Sequence, residues 1–221
     1  MLHLLLAVIY LSFISLGLPD AVLGAAWPTI YQGFGVPLSY SGVVACIISV
    51  GTVISSLQSD RLTRRFGAGA VTAASVAMTA LALLGFSVSH SFGALCVWAV
   101  PYGLGAGSVD AALNNYVALH FASRHMSWLH CMWGVGASLG PYIMGAVLTR
   151  GLGWHTGYRL IGGIQLLLTV IIFLSLPLWK KQVKGSDAAP EVCARPLSLQ
   201  QILQISGVKQ VLVMFFCYCA L

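Results

Sequence analysis

Six long apolar segments dominate this chain of 221 residues and constrain its fold more than any other feature. They cover residues 2–30, 39–58, 68–88, 93–119, 127–149 and 156–179. The hydrocarbon core of a bilayer is about 30 Å thick and needs roughly 20 apolar residues per helix, so each segment is long enough to cross it. Only 7% of the residues are charged and the mean hydropathy is +0.90, which excludes a water-soluble domain. We therefore predict an all-α polytopic membrane protein with six transmembrane helices in residues 1–179.

The chain after residue 179 is predicted to form a linker and the start of a seventh helix. Residues 180–207 include a polar stretch rich in small residues and Pro190, which is typical of a linker, and residues 197–205 fit a short interfacial helix. A further apolar segment covers residues 208–221, and its 14 residues are too few to span a membrane. We expect this segment to be a truncated helix 7, so that the sequence is a fragment of a longer protein.

The basic residues predict the orientation of the helices. Eight of the eleven lie in alternate connections, namely Arg61, Arg64, Arg65, Arg124, Lys180, Lys181, Lys184 and Arg195. By the positive-inside rule, these connections and the N-terminus are cytoplasmic. The net charge of +6 then reflects orientation in a membrane, with no nucleic acid as a partner. We expect a multi-pass protein of the plasma membrane.

Two acidic residues lie inside apolar segments and in similar sequence settings. Asp20 belongs to Gly-Leu-Pro-Asp-Ala-Val-Leu at 17–23, and Asp110 belongs to Gly-Ser-Val-Asp-Ala-Ala-Leu at 107–113. An acid in the middle of a membrane costs roughly 2.5–3.5 kcal/mol on insertion scales, so such acids usually face a cavity or an ion path. This pair indicates a transporter. The structural alternative is that each carboxylate is hydrogen-bonded to a neighbouring helix.

The same two settings indicate an internal repeat. Asp20 and Asp110 are 90 positions apart, and the sequence Leu-Thr-Arg recurs at 62–64 and 148–150. Three helices fit in each period, and an odd number of crossings reverses the direction of the chain. We therefore predict two inverted three-helix repeats, while chance similarity between small-residue segments is the alternative.

Glycines accompany both acids along their helices. Helical spacing places Gly17, Asp20, Gly24 and Trp27 on one face, and Gly103, Gly107, Asp110, Asn114 and Val117 on another. The glycines are expected to allow close approach of neighbouring helices. Pro19 is expected to break the first helix beside Asp20, because proline removes a backbone donor.

The connection between the second and third segments resembles a known family signature. Residues 59–67 read Ser-Asp-Arg-Leu-Thr-Arg-Arg-Phe-Gly, an Asp-Arg pair followed after two residues by two basic residues. This resembles the cytoplasmic loop signature of the major facilitator superfamily, although Ser56 and Thr63 stand where that family usually has glycine. The glycines and Pro141 within 134–145 look like its helix 5.

That resemblance implies a transporter with two six-helix halves around a central path, so a C-terminal six-helix half is expected as a partner. It also implies a cytoplasmic gate formed by Asp60, Arg61, Arg64 and Arg65. An acid at the C-terminal end of a helix is unfavourable for the helix dipole unless a basic residue offsets it, which fits a charge cluster that can break.

A finer resemblance connects residues 105–115 with helix 4 of the fucose permease group of sugar and proton symporters. Those proteins also carry an acid in helix 1, which Asp20 matches. Asp110 stands where glutamate is usual, and Asn115 stands where proline often follows. The resemblance implies proton-coupled symport of a sugar. An amino acid, a drug or an anion stays open as the substrate, and Arg159 could serve an anion.

We predict alternating access, with a small polar solute and a proton bound near the bilayer centre. The groups predicted for proton coupling or substrate binding are Asp20, Asp110, Asn114, Asn115, His130, Trp133 and Gln165. The structural alternative for the amides, the histidine and the tryptophan is packing between helices.

Neither a metal site nor an enzyme is predicted. The histidines at 120, 125 and 130 are spaced by five and scatter around a helix, and no cysteine spacing suggests zinc. No cofactor motif and no hydrolase or protease motif of the common kinds is evident. The alternative function is a noncatalytic membrane half that assembles with a partner half, or an inactive truncated remnant.

Overall fold

A computed structural model describes residues 2–185 and 199–220, and these residues form helices and short connections without any strand. The helices are α1 (Leu2–Gly17), α2 (Val22–Phe34), α3 (Ser41–Phe66), α4 (Ala68–Ser87), α5 (Phe92–His120), α6 (Ser123–Thr149), α7 (Gly153–Gly185), α8 (Leu199–Gln204) and α9 (Val208–Ala220). A single 3-10 turn at Leu38–Tyr40 precedes α3. The predicted all-α fold is confirmed.

Six spans in the described part of the chain are long and apolar enough to cross a membrane. They are Leu4–Phe34, Leu38–Phe66, Ala68–Ser87, Phe92–His120, Ser123–Thr149 and Gly153–Trp179. The first span combines α1 and α2, and each of the other five contains one long helix. The polytopic membrane architecture is thus confirmed.

Two compact units divide the chain, Met1–Val183 and Lys184–Leu221. The first unit contains all six spans. In the second unit, α8 lies within the segment predicted to be a short helix, and α9 lies within the segment predicted to begin helix 7. The predicted linker overlaps the end of α7, and its residues 186–198 lie outside the described part of the chain.

Helix α3 corrects one detail of the sequence prediction. The expected loop at 59–67 is wrong, because α3 continues through Phe66 and Gly67 alone connects it to α4. Gly67 has a φ of +83°, a conformation that glycine adopts without strain. The basic residues of the last turn, Arg64 and Arg65, complement the negative end of the helix dipole, which explains why the helix tolerates this charged segment.

Glycines let the helices of the six-span unit approach closely in two places. A Cβ atom on Gly136 of α6 would overlap the backbone carbonyl of Ile14 in α1, and one on Gly107 of α5 would overlap that of Thr52 in α3. Helix α1 therefore packs along α6, and α3 packs along α5. An inverted repeat that exchanges spans 1–3 with spans 4–6 would map one of these pairs onto the other, and the repeat stays a prediction.

Hydroxyl groups reinforce the contact between α3 and α5. Thr52, Ser55, Ser56 and Ser59 each donate a side-chain hydrogen bond to a carbonyl of α5, at Gly103, Leu104, Gly107 and Ser108 respectively. The glycines of α5 expose these carbonyls, and hydrogen bonds between helices stabilise packing where water is absent. This contact holds the middle of α5 beside α3.

Candidate functional site

A break in the first span positions Asp20. Helix α1 ends at Gly17 and α2 begins at Val22, as Pro19 predicts. Turn-type hydrogen bonds bridge the gap, from the N–H of Asp20 to the carbonyl of Gly17 (3.1 Å) and from Val22 to Pro19 (3.2 Å). Pro28, Pro101 and Pro141 instead lie inside continuous helices. Broken helices in membrane proteins are tolerated where they line a cavity or are buried in protein.

Asp20 and Asp110 line the same cavity, which has a volume of about 350 Å³. Four spans contribute to its wall, through Phe13, Leu16, Asp20, Ile48, Thr52, Tyr102, Ala106, Asp110, His130 and Trp133. The structure therefore brings together four of the residues singled out in the sequence, the two acids with His130 and Trp133. Both carboxylates are exposed on this surface, so a solute entering the cavity can reach them.

Two side chains from different helices hold the carboxylate of Asp20. The indole Nε1–H of Trp133 in α6 donates to Oδ2 at 2.8 Å, and the hydroxyl of Tyr102 in α5 donates to Oδ1 at 3.4 Å. Tyr102 is buried, with 5% of its surface exposed, whereas Trp133 is 40% exposed. The carboxylate is thus oriented from one side and open on the other.

Tyr102 was not among the residues singled out in the sequence. A signal for it exists, because Tyr102 precedes Asp110 by eight positions, about two helical turns, and so lies near the same face of α5. Thr52 also lines the cavity but was not predicted, because nothing in the sequence distinguishes it from a residue that packs between helices. Its hydroxyl donates to the backbone carbonyls of Ile48 and Gly103, as is typical of a contact between helices.

Asp110 has polar neighbours on its own helix and across the cavity. Asn114, one turn later in α5, donates from Nδ2 to Oδ1 of Asp110 at 2.9 Å. The Oδ1 atom of Asn114 is buried and accepts no hydrogen bond within the described part of the chain. His130 of α6 lines the same cavity, within electrostatic range of Asp110.

One ring nitrogen of His130 makes a hydrogen bond within the described part of the chain. Its Nδ1 lies 2.9 Å from the carbonyl of Met126, and because a carbonyl only accepts, Nδ1 carries the hydrogen. In that tautomer Nε2 is a hydrogen-bond acceptor. The ring packs against Phe13, with centroids 6.1 Å apart. The cavity therefore holds two carboxylates and one imidazole, a set that can bind a proton and hydrogen-bond a polar solute.

A smaller cavity of about 160 Å³ adjoins the first near the break in span 1. Asp20, Ile48 and Tyr102 belong to the walls of both cavities. The remaining wall of the small cavity includes the polar side chains of Ser49 and Tyr158. Asp20 thus contacts two separate spaces, whereas Asp110 lines the larger of them.

Three predicted residues are not part of the cavity wall, and of these Asn114 contacts it through its hydrogen bond to Asp110. Asn115 is exposed on α5, outside the lining of either cavity described above. Gln165 is 1% exposed between α7 and α4, where its Nε2 donates to the hydroxyl of Thr79 at 3.2 Å. The solute-binding prediction consequently depends on the residues that line the cavity, with Asn114 beside them.

The charged residues predicted as a gate lie on the last two turns of α3. Asp60 and Arg64 form an ion pair at 3.0 Å, with 57% of Arg64 and 52% of Asp60 exposed. The guanidinium of Arg65 lies 5.3 Å from the ring centroid of Phe66. Arg61 is exposed beside them. Exposed pairs of this kind contribute little to stability, so they can separate and re-form at small cost.

A metal centre is not evident in residues 2–185 and 199–220, where no group of three or more histidine, cysteine, aspartate or glutamate side chains could hold an ion.

Comparison with families of known proteins gives one result that covers most of the chain. The sequence model of the Major Facilitator Superfamily matches residues 9–221. A comparison with curated proteins finds no match.

Proposed function

Because the chain belongs to the major facilitator superfamily, a superfamily of secondary transporters that move small solutes across the bilayer, we propose that it is the N-terminal half of a proton-coupled symporter. The proposed solute is small and polar, with a sugar as the first candidate. Transport proceeds by alternating access, in which the same site opens to one side of the membrane and then to the other.

The observation that carries this proposal is that Asp20 and Asp110 share one cavity within the membrane-spanning region. Intramembrane acids are costly and usually mark substrate or proton paths. Carboxyl groups inside a membrane-spanning region are well suited to bind a proton in one state and release it in the other.

The polar groups around the acids support a hydroxyl-bearing solute. Asp110, Asn114 and His130 offer acceptors and donors, and the exposed indole of Trp133 offers an apolar face. Cavities for small ligands are typically about 300–1,000 Å³, and this one has about 350 Å³ in the half described here. The resemblance to the fucose permease group favours a sugar among polar solutes.

The exposed faces of α3 and α6 support a second six-helix half as the partner. Both helices border the cavity, and both expose large apolar side chains, such as Val53 and Leu57 on α3 and Leu139 and Tyr142 on α6. A second half would cover these faces and close the path. The charge distribution supports a cytoplasmic N-terminus and a cytoplasmic gate at Asp60, Arg61, Arg64 and Arg65. The plasma membrane is the proposed location.

The test is uptake into proteoliposomes that contain this chain together with a C-terminal half. A panel of labelled sugars, amino acids and organic anions is offered with and without an inward proton gradient. We expect the gradient to drive accumulation of one sugar class, and we expect Asp20→Asn and Asp110→Asn to abolish it. Glu191→Gln is the matched control, because it neutralises an acid outside the six spans.

Wild-type accumulation by both aspartate variants would contradict the proton role. If both variants still exchange solute in the absence of a proton gradient, the transport proposal stands and the proton-coupling proposal is contradicted. Failure of the assembled wild-type protein to move any member of the panel would favour the noncatalytic half or the inactive remnant.

A further inference from the structure

A third cavity, larger than the two around Asp20, lies between α3, α4 and α5. It has a volume of about 490 Å³, and its wall includes Leu62 of α3, Met78 of α4 and Leu104 of α5. None of its wall residues belongs to the two cavities described above. The third cavity is therefore a separate space, which the proposed transport path does not use.

The third cavity is elongated along the helices and begins at one end of a span. Its wall on α3 runs from Phe66, the last residue of the second span, back to Ser55. At 1.5 Å per residue this stretch is about 16 Å long, which is close to half of the roughly 30 Å hydrocarbon core. Ala74 of α4 lines the cavity and is exposed, so the cavity is open at its side. These dimensions fit an acyl chain from one leaflet.

The wall of the third cavity is better suited to an alkyl chain than to a polar solute. Most of its side chains are apolar, and two of its three serines already bond within the protein. The hydroxyl of Ser55 bonds to the carbonyl of Leu104 and to the hydroxyl of Ser108. The cavity thus offers mainly van der Waals contact.

Positive charge is concentrated where the third cavity meets the membrane surface. The guanidinium of Arg65 lies 5.3 Å from the ring centroid of Phe66, which lines the cavity. Arg61 precedes Arg65 by one helical turn, so the two exposed side chains are neighbours on α3. Asp60 pairs with Arg64, and among the described residues neither Arg61 nor Arg65 has a carboxylate partner. Both are available to an anionic group.

The third cavity lies on a different face of α3 from the one proposed to meet a second six-helix half. Successive residues of an α-helix are about 100° apart around its axis. Val53 and Leu57, on the proposed interface, are therefore about 40° apart, whereas Leu62 in the cavity is about 140° from Leu57. A second half can cover the first face and leave the cavity open to lipid.

We propose that the third cavity binds an acyl chain of an anionic phospholipid whose phosphate lies at Arg61 and Arg65. An apolar wall attracts an acyl chain no more than the surrounding lipid does, so the selectivity comes from the headgroup. The sequence predicts that this end is cytoplasmic, and the cytoplasmic leaflet is rich in anionic lipids. The bound lipid would bridge α3 and α4, which Gly67 alone connects.

The test is native mass spectrometry of the purified full chain in detergent, titrated with palmitoyl-oleoyl phosphatidylglycerol or with phosphatidylcholine of the same acyl chains. We expect one phosphatidylglycerol per chain, bound at least tenfold more tightly than phosphatidylcholine. A double variant with Arg61→Gln and Arg65→Gln should lose this preference. Arg150→Gln is the control, because Arg150 is exposed at the other end of the six-span unit.

A second variant tests the cavity separately from the headgroup. Ala74→Phe places a ring in the cavity at an exposed position, so the protein should fold while both lipids bind at least fivefold more weakly. Val97→Phe is the matched control, because Val97 is 68% exposed on α5 and does not line the cavity. The melting temperature of each variant checks that it is folded.

Several results would overturn this proposal. Equal affinity of the wild type for the two lipids, or a preference that the double arginine variant retains, would exclude headgroup recognition. Unchanged lipid binding in Ala74→Phe would exclude the cavity as the site. Release of the lipid by excess glycerol 3-phosphate would assign the arginines to a soluble anion. Release on addition of a C-terminal half would assign the cavity to the interface between halves.

Discussion

The indole of Trp133 donates a hydrogen bond of 2.8 Å to the carboxylate of Asp20, although the two residues are 113 positions apart. The contact joins α6 to the break in the first span. Tyr102 of α5 holds the other oxygen of the same carboxylate. Three spans thus meet at one ionisable group, and a movement of any of them alters its hydrogen bonds. This arrangement can couple the hydrogen bonds of Asp20 to helix movement, as the proposed proton coupling requires.

Trp133→Phe should impair uptake while leaving the protein folded. The substitution keeps an aromatic ring but removes the donor to Asp20, and a hydrogen bond to a charged group is worth about 1.5–3 kcal/mol. We expect the rate of proton-driven uptake at low solute concentration to fall about tenfold or more. Trp128→Phe is the matched control, because Trp128 lies on the same helix and is 55% exposed. Equal effects of the two substitutions would contradict a specific role for the Trp133 contact.

Tyr102→Phe should have a smaller effect than Trp133→Phe. The hydroxyl of Tyr102 is 3.4 Å from Asp20, so its hydrogen bond is weaker than the one from Trp133. Uptake should fall by a few-fold, because a long hydrogen bond to this carboxylate is worth less than the value of about 1.5–3 kcal/mol for a well-formed bond to a charged group. Measuring both single variants and the double variant gives the coupling between the two donors. Strict additivity would mean that the donors act on Asp20 independently.

Gly136→Ala should destabilise the six-span unit. A Cβ atom at this position would overlap the carbonyl oxygen of Ile14 and crowd the backbone at Leu18, and backbone atoms cannot move aside as a flexible side chain can. Overpacking typically costs about 1–3 kcal/mol, so we expect a lower melting temperature and a lower yield of monodisperse protein in detergent. Gly134→Ala in the same helix is the control, because no atom lies within 4 Å of its added Cβ. A loss of the same size in both variants would refute close packing at Gly136 as the cause.

Breaking the Asp60 and Arg64 pair should affect transport more than stability. Both side chains are more than half exposed, and exposed pairs four residues apart on a helix contribute about 0.3–0.5 kcal/mol. Asp60→Asn and Arg64→Gln should therefore leave the melting temperature nearly unchanged but slow uptake if the pair forms part of a gate. Arg150→Gln, at the other end of the six-span unit, is the comparison for loss of an arginine. Unchanged uptake in both pair variants would remove these residues from the proposed gate.

The class of fold and the place of the break can both be predicted from local features of the sequence. Length and hydropathy alone require six membrane-crossing helices, because a bilayer core admits few structures other than helices that satisfy their own backbone hydrogen bonds. Pro19 predicted the interruption beside Asp20 because its ring removes one of those hydrogen bonds locally. The two intramembrane acids stood out because their cost in an apolar segment is independent of any partner.

The tertiary structure alone decided which residues meet. Packing of α1 on α6 and of α3 on α5 places Asp20 and Asp110 in one cavity, brings Tyr102 and Trp133 to Asp20, and leaves Gln165 on Thr79 instead. It also pairs His90 with His155, which are 65 positions apart in the sequence. The physical reason is that hydropathy and proline act within a few residues of one helix. Contacts between helices depend instead on the rotation and close approach of each one, which the carbonyls and glycines of its neighbours decide.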